Sequence, residues 1–405
     1  MICSLEKEQE RAIMLLPQNT AEVDLGAVKR NIRALKSLTT RGTRFMAVIK
    51  ANAYGHGTVP VAGAAMAAGA DFLAVARISE AVEIREAGIN LPVLLFGDVL
   101  PNQAVYMATH NIRASITNLE TAKAMAAQLN SRDLTLKVHI KVDTGMGRLG
   151  FVHSALNEPG YPPDIPVEDI LVIQSLAQIE VEGIYTHLSR SDEQDKTHAR
   201  AQINRFLRLT DQLAAREFIP EIRHVANSAG VIDMPDSHFD MIRPGISIYG
   251  LWPSDEVNKT LITLEPAMSI RSKVIQTKAV PRGFEVSYGA THVTPEPTVI
   301  ATVPIGYADG YSRLLSNRGH MLVRGGRAPI LGRVCMDFTM IDVGHIPGVI
   351  PGDEVVIMGN QGSETISADE IAKLTHTINY EVTAGLTGRI PLHYITSGED
   401  HAETQ

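Results

Sequence analysis

Over the first 250 residues, short runs of apolar residues alternate with longer segments of mixed polarity. The runs are "FMAVIKA" (45–51), "FLAVAR" (72–77), "PVLLFG" (92–97), "RASITN" (113–118), "LKVHIKVDT" (136–144), "VEGIYTHLS" (181–189), "IRHVANS" (222–228) and "DMIRPGISIYG" (240–250). Between them, "ISEAVEIREAG" (78–88) and "NLETAKAMAAQLN" (118–130) repeat apolar residues three and four apart, the spacing of a helix with one buried face. Eight strands alternating with helices predict a (β/α)8 barrel of the TIM type over 21–251. An open doubly wound sheet is the competing topology, but no GxGxxG follows the first run.

The texture changes after Gly250. "SIRSKVIQTKAVP", "THVTPEPTVIATVPIG", "GHMLVRGGRAPILGRVCMDFTMIDVG" and "GDEVVIMG" are strand-like and separated by Gly and Pro turns. Helical spacing returns only at "SADEIAKLTHT" (367–377). The α/β barrel is therefore expected to be followed by a mostly β domain over 252–395. Residues 1–20 form an N-terminal extension and 396–405 a flexible tail. "HSALNEPGYPPDIP" (153–166) is a loop by its Pro, Gly and Asn content.

Composition adjusts this picture only slightly. Hydrophobic residues make up 44% and charged residues 20%, ordinary for a globular protein. A net charge of −8 without any Lys/Arg run argues against nucleic acid as a partner. The two cysteines, Cys3 and Cys335, are too far apart in sequence to outline a disulfide framework. The opening residues lack the pattern of a signal peptide, and no apolar stretch is long enough for a membrane span, so a cytoplasmic protein without membrane attachment is expected. The 14 histidines do not fall at metal-ligand spacings, and neither HExxH nor a CxxC pair occurs, so no metal is expected. No GxSxG elbow suggests a serine hydrolase.

In a barrel, chemistry belongs at the C-terminal ends of the strands. Those ends carry Lys50, Arg148, His187, Asn227, Ser228 and Arg243. Desolvating an ammonium is costly, so a lysine closing a buried run is either snorkelling or held for reaction. A lysine, two arginines, a histidine and small polar groups on one face suit an anionic cofactor whose carbonyl is captured by an amine.

Read in order, "AVIKANAYGHG", "KVDTGMGRLG", "THLSRSDE", "HVANSAG", "IRPGISIYG", "VSYGATHV", "GYADGYSR" and "GRVCMD" resemble the motifs of the alanine racemases, fold-type III pyridoxal 5′-phosphate enzymes. The resemblance spans about residues 21 to 395 and implies interconversion of L- and D-alanine, with D-alanine supplied to peptidoglycan. It makes Lys50 the residue that carries the cofactor as an imine. Tyr54, Asn227, Ser228, Gly245, Ile246 and Tyr380 would hold the phosphate, His187 would lie beside the ring, and Arg243 would face the pyridine nitrogen. A guanidinium cannot accept a proton, so that nitrogen would stay largely unprotonated.

Racemisation needs acid/base groups on both faces of Cα. The resemblance assigns one face to Lys50 and the other to Tyr288, contributed by a second copy of the chain in a homodimer with composite sites. Arg148 would bind the substrate carboxylate, assisted by the Met336 backbone. Lys141 matches a lysine that relatives carry as a carbamate. Asp192, Tyr307 and Arg313 would line the substrate corridor, whose tyrosines favour a small side chain. Asp309, in the same loop as Tyr307, is given no catalytic part. The competing readings are a broad-specificity amino-acid racemase, a fold-type III decarboxylase, which Arg243 disfavours, and a non-catalytic cofactor-binding protein, which would lack the β domain.

Overall fold

The computed structural model describes residues 18–97, 99–130, 132–152 and 165–398. Cys3, most of the N-terminal extension, residues 153–164 of the expected loop and residues 399–405 of the tail lie outside them. Two compact units divide the chain at 24/25 and 266/267.

The larger unit is a closed barrel of eight parallel strands: β1 (Arg44–Val48), β2 (Phe72–Val75), β3 (Val93–Leu95), β4 (Ile112–Ile116), β5 (Leu136–Asp143), β6 (Ile179–Tyr185), β7 (Ile222–His224) and β8 (Met241–Ile242). Neighbours in sequence are neighbours in space, and β1 pairs with both β2 and β8 to close the ring. Several strands are buried at every position, as in "FLAV" of β2 and "IRASI" of β4, because helices cover the outside and side chains fill the inside. The helix Leu119–Asn130 shows how the outer layer forms. Asn118 Oδ1 accepts the Thr121 N–H at its start, and Ala122, Met125, Ala126 and Leu129 are its buried face.

Part of the barrel interior is polar. Glu182 on β6 accepts from Arg113 Nε and Nη2 (2.9 and 3.0 Å) and from His139 Nε2 (3.1 Å). His139 Nδ1 lies 2.8 Å from His224 Nε2, and His224 stacks on Tyr185 with ring centroids 4.7 Å apart. A buried carboxylate is tolerable here because two cationic or donor side chains satisfy it. Burial alone would raise the pKa of Glu182, but the bonds from His139 and Arg113 outweigh it and hold the group ionised.

The second unit joins residues 18–24 to residues 267–396. Thr20–Asp24 pairs antiparallel with Met268–Lys273 and parallel with Leu392–Ile395, inside a larger mostly antiparallel sheet. Gln276–Val280, Thr298–Val303 and Thr339–Asp342 form a second, three-stranded sheet, packed through Val280, Ile300 and Leu331.

Three expected boundaries therefore move. Residues 21–24 belong to the β-rich unit and 252–266 to the barrel unit, so the division expected at 251/252 falls at 266/267. The last strand, expected over 240–250, ends at Ile242, because Pro244 has no N–H to donate and the buried Ile246–Tyr249 coils into a 3-10 turn. Lys50 and His187 each stand two residues beyond their strands rather than on them. The tail is anchored where it begins, since Arg30 Nη1 donates to Ser397 O at 2.5 Å.

Candidate functional site

The chain after β1 turns the wrong way for L-amino acids. Ala51, Asn52, Ala53 and Tyr54 take φ of 55°, 53°, 51° and 54°, one turn of left-handed helix without a glycine. Such a conformation costs about 1–2 kcal/mol per residue. It persists because its surroundings over-determine it. Glu80 Oε1 accepts the Ala51 N–H at 2.5 Å, and Asn52 Oδ1 accepts the Thr58 N–H at 3.1 Å. From below, Tyr249 donates its hydroxyl to Val48 O at 3.0 Å while its ring lies against Tyr54, centroids 5.0 Å apart.

Lys50 opens this turn. Burial lowers its pKa first, then the cations Arg148 and Arg243, with Glu80 acting in the opposite sense. The amine is thereby biased toward the free base that attacks a carbonyl.

Tyr54, Ser228 and Gly245 converge. Ser228 Oγ accepts the N–H groups of Gly245 (2.9 Å) and Ser247 (3.4 Å). A Cβ on Gly245 would sit 2.5 Å from Tyr54 Oη, so glycine is what allows that hydroxyl to reach the backbone there. Two hydroxyls thus meet beside the Gly245–Ser247 backbone, a setting suited to an anion. Asn227 contributes differently. It caps the helix Ser228–Asp233, with Oδ1 accepting from Gly230 N and from Ser191 Oγ.

Arg243, 3% exposed, is held rigidly. Its Nη2 donates to Thr186 O at 2.5 Å and Val225 O at 2.8 Å, and its guanidinium lies over the Tyr185 and Phe96 rings at 5.3 and 5.8 Å. Nε is buried with no hydrogen-bond partner among the described residues. Nη1 makes a long 3.4 Å bond to His187 Nδ1. Burial first, and then Arg243, Arg148, Lys141 and Lys50, drive His187 well below the ordinary imidazole value, so it is neutral.

Arg148 stands on a loop wound around one carboxylate. Asp143 Oδ1 accepts the N–H of Gly145, Met146 and Gly147 at 2.9, 2.8 and 3.1 Å, and Oδ2 accepts that of Arg148 at 2.8 Å. Lys141, on β5, donates to Val142 O at 2.7 Å, and burial together with Arg243 lowers its pKa to about 7.

The β-rich unit gathers a second set. Tyr307 N donates to Cys335 O at 3.0 Å and Ala308 N to Met336 O at 3.1 Å, with Gly306 pressed so close that a Cβ would lie 2.2 Å from Met336 O. Ser287 donates to Arg333 O at 2.6 Å, which ties the Tyr288 turn to the same segment. Three motifs remote in sequence thus meet through their backbones. Their side chains stay outside: Tyr288 is 71%, Met336 52% and Tyr307 42% exposed in the chain taken alone. Arg313 is exposed as well, and Tyr380 is half-buried on the helix Asn379–Ala384. A cavity of about 500 Å³ in this unit is lined by Tyr307, Tyr311, Leu314 and Val382, and neither Tyr288 nor Met336 borders it. Asp309 is structural, accepting the Gly306 N–H at 2.9 Å and pairing with Arg389.

Comparison with known proteins decides the family. Residues 23–253 match the model of the alanine racemase N-terminal domain and residues 267–394 that of the C-terminal domain. An alanine racemase of Desulfosudis oleivorans is 48% identical over 374 residues, covering 92% of this chain and 96% of that protein. This chain belongs to the alanine racemase family.

The alanine racemase likeness extends to three dimensions. An alanine racemase of Clostridium difficile is 35% identical with a TM-score of 0.88, covering 95% of this chain and 97% of that one. The Bacillus anthracis alanine racemase with bound L-Ala-P gives 36% and 0.87, with 95% and 97% covered. A histidine racemase of Leuconostoc mesenteroides gives 29% and 0.84, with 94% and 99% covered. The chain is accordingly an isomerase with alanine racemase function, built on the barrel and mostly β domain of those structures. Among the described residues, no helix is long and apolar enough to cross a membrane.

Of the expected site residues, Lys50, Tyr54, Lys141, Arg148, His187, Asp192, Asn227, Ser228, Arg243, Gly245 and Ile246 belong to the barrel unit, and Tyr288, Tyr307, Arg313, Met336 and Tyr380 to the β-rich unit. Sequence reasoning passed over Asp143, Glu80 and Tyr249. Asp143 was detectable, because an Asp followed by four residues with two glycines is the signature of a loop that closes on its own carboxylate. Glu80 and Tyr249 left no such sign.

Proposed function

We propose that the racemisation runs on pyridoxal 5′-phosphate and uses Lys50 and Tyr288 as its two acid/base groups, with Tyr288 supplied by a second copy of the chain. The observation that carries this is the barrel mouth: a lysine with a lowered pKa beside an anion cradle and a rigid buried arginine. The residues fit the cofactor. The Tyr54 and Ser228 hydroxyls offer donors to a phosphate beside Gly245 and Ile246, and the space that a Cβ on Gly245 would fill is kept for the Tyr54 hydroxyl. Arg243 has no acceptor atom, which suits it to an unprotonated ring nitrogen and not to a pyridinium. When bound, the cofactor supplies an aldehyde for the amine and a conjugated ring that delocalises the electron pair left on Cα.

The chain's residues then divide the work. Lys50 Nζ, held by burial and cations as a ready base, takes or gives a proton on one face of Cα. Tyr288 Oη handles the other face, and its exposure in the single chain is what a group destined for another subunit's site requires. This makes the working form a homodimer. Arg148 holds the substrate carboxylate through paired N–H donors, with Met336 assisting. Neutral His187 accepts from Arg243 and adds no second positive charge. Asp192, Tyr307 and Arg313 line the approach, and Tyr380 completes the phosphate contacts.

Lys141 is proposed as a carbamate. A lysine whose pKa is about 7 is half free amine at neutral pH, and that form adds to CO2 with loss of one proton. The product is an anion placed between Arg243 and Arg148, the two arginines that depress the amine. Alanine, rather than a larger amino acid, is the proposed substrate. The likeness to a histidine racemase keeps side-chain breadth as the second reading, and a substrate panel separates the two.

The test begins with purified protein and pyridoxal 5′-phosphate. A visible absorption band is expected, and borohydride reduction followed by peptide mapping should place the cofactor on Lys50. A colourless protein, or a label elsewhere, overturns the assignment. Tyr288→Phe should keep the band and lose conversion from L-alanine. Undiminished racemisation by that variant would remove Tyr288 from the mechanism.

A further inference from the structure

His56 lies directly after the left-handed turn and is fully buried. Its Nδ1 is 3.1 Å from both Ala53 O and Tyr54 O. Carbonyls only accept, so Nδ1 must carry the ring proton. In the neutral ring Nε2 is then a bare lone pair, and it is buried with no partner among the described residues. The ring stacks on Tyr249 with centroids 4.4 Å apart and an interplanar angle of 27°. Tyr249 in turn grips Val48 O at the end of β1 and packs on Tyr54.

We infer that His56 is a positioning residue: its Nδ1–H clamps the carbonyls of the left-handed turn and thereby sets Lys50 and the Tyr54 hydroxyl in place for the cofactor. The clamp acts on the carbonyl side of a turn whose first N–H is already held by Glu80. A right-handed path for residues 51–54 would move both carbonyls off the imidazole and withdraw the Tyr54 hydroxyl from Gly245. Burial, opposed by the two backbone bonds, lowers the His56 pKa to about 4, which keeps the ring in the single-donor form. The inference rests on the assignment of Lys50 and Tyr54 to the cofactor.

Two variants separate donor from bulk. His56→Phe keeps a ring to stack on Tyr249 but has no donor. His56→Asn loses the ring but places an N–H one bond from Cγ, where Nδ1 sits. Affinity for pyridoxal 5′-phosphate, read by absorbance on wild type and both variants, is the first measurement. His56→Phe should bind about tenfold more weakly, with kcat at saturating cofactor lowered and KM for alanine little changed, and His56→Asn should recover most of the loss. Equal affinities in all three proteins, or equal damage in both variants, would overturn the donor role. Should His56→Phe fail to fold, the wild-type holoenzyme still decides the matter. Its ¹⁵N-histidine spectrum should show a neutral His56 protonated at Nδ1, identified by the signal missing from His56→Asn, and a ring protonated at Nε2 would refute the clamp. A wild type that puts no cofactor on Lys50 would instead defeat the functional assignment itself.

Discussion

The two groups of proposed site residues are built on opposite physical plans. In the barrel unit Lys141 and Arg243 are buried and Lys50 and His187 half-buried, with Arg148 the exposed exception, and burial with mutual repulsion of cations lowers the pKa values of Lys50, Lys141, His187 and Arg243. In the β-rich unit Tyr288, Tyr307, Met336 and Arg313 are exposed, and what is fixed is the backbone beneath them. A low-dielectric pocket tunes reactivity before any ligand arrives, whereas a pinned loop tunes only position. Reactivity on that second side has to come from the surface it meets. On the proposed two-base reading, the surface that Tyr288 meets is that of a second copy of the chain.

The sharpest way to break the barrel half is Gly245→Ala. The added Cβ would lie 2.5 Å from Tyr54 Oη and 3.2 Å from its Cζ, and the Tyr54 ring cannot retreat freely because Tyr249 backs it. The cradle loses its hydroxyl. We expect cofactor affinity to fall about 30-fold, the loss of one to two hydrogen bonds to a charged group. Circular dichroism should remain that of the wild type. Titration of the variant with pyridoxal 5′-phosphate checks this, and wild-type affinity would show that Tyr54 does not reach the phosphate.

What the sequence made legible follows the same division. Buried strands advertise themselves, so each of the eight apolar runs overlaps a barrel strand, and the residues near the ends of those runs supplied the barrel half of the proposed site. Conformation that runs against local preference was invisible. "ANAY" contains no glycine and would be read as right-handed, because the forces that reverse it come from Glu80, His56 and Tyr249, distant in sequence or silent in pattern. The strand at Thr20–Asp24 was assigned to the wrong unit for a related reason: its partners at Arg271 and Leu392 lie beyond the reach of periodicity. Resemblance, not pattern, supplied Tyr288 and Met336, since an exposed side chain on a turn leaves no hydrophobic trace.

The β-rich half can be loosened through Ser287. This residue sits at φ 65° and ψ −176°, a region held almost entirely by glycine, immediately before Tyr288. Its hydroxyl bond to Arg333 O secures the strained conformation. Ser287→Ala keeps the strain and loses the bond, and should cost about 1 kcal/mol of stability with a several-fold drop in conversion from L-alanine. Cofactor affinity should not move, because nothing in the barrel unit changes. Ser287→Gly should recover the stability but not the rate. A matching fall in cofactor affinity would mean that the two halves are less separable than their construction implies.

The smallest effect is expected at Asp143, where the barrel half borrows the strategy of the other and positions a side chain through its backbone. Burial would raise the pKa of this carboxyl, but the N–H groups of Gly145, Gly147, Arg148 and Met146 together outweigh burial and hold it below the ordinary 3.8. A folded pKa below the unfolded one favours the native loop wherever the group is ionised. That contribution is complete above the ordinary value and disappears as pH falls through the lower, folded one. At neutral pH, Asp143→Asn should therefore weaken the loop that carries Arg148, raising KM for alanine about threefold to tenfold with kcat less affected. In acid, the difference in stability between wild type and variant should shrink, because the wild-type carboxyl is then neutral as well. Thermal melts of both proteins from neutral pH down to about pH 3 measure that convergence. Parallel curves would mean that the carboxylate charge does not hold the loop.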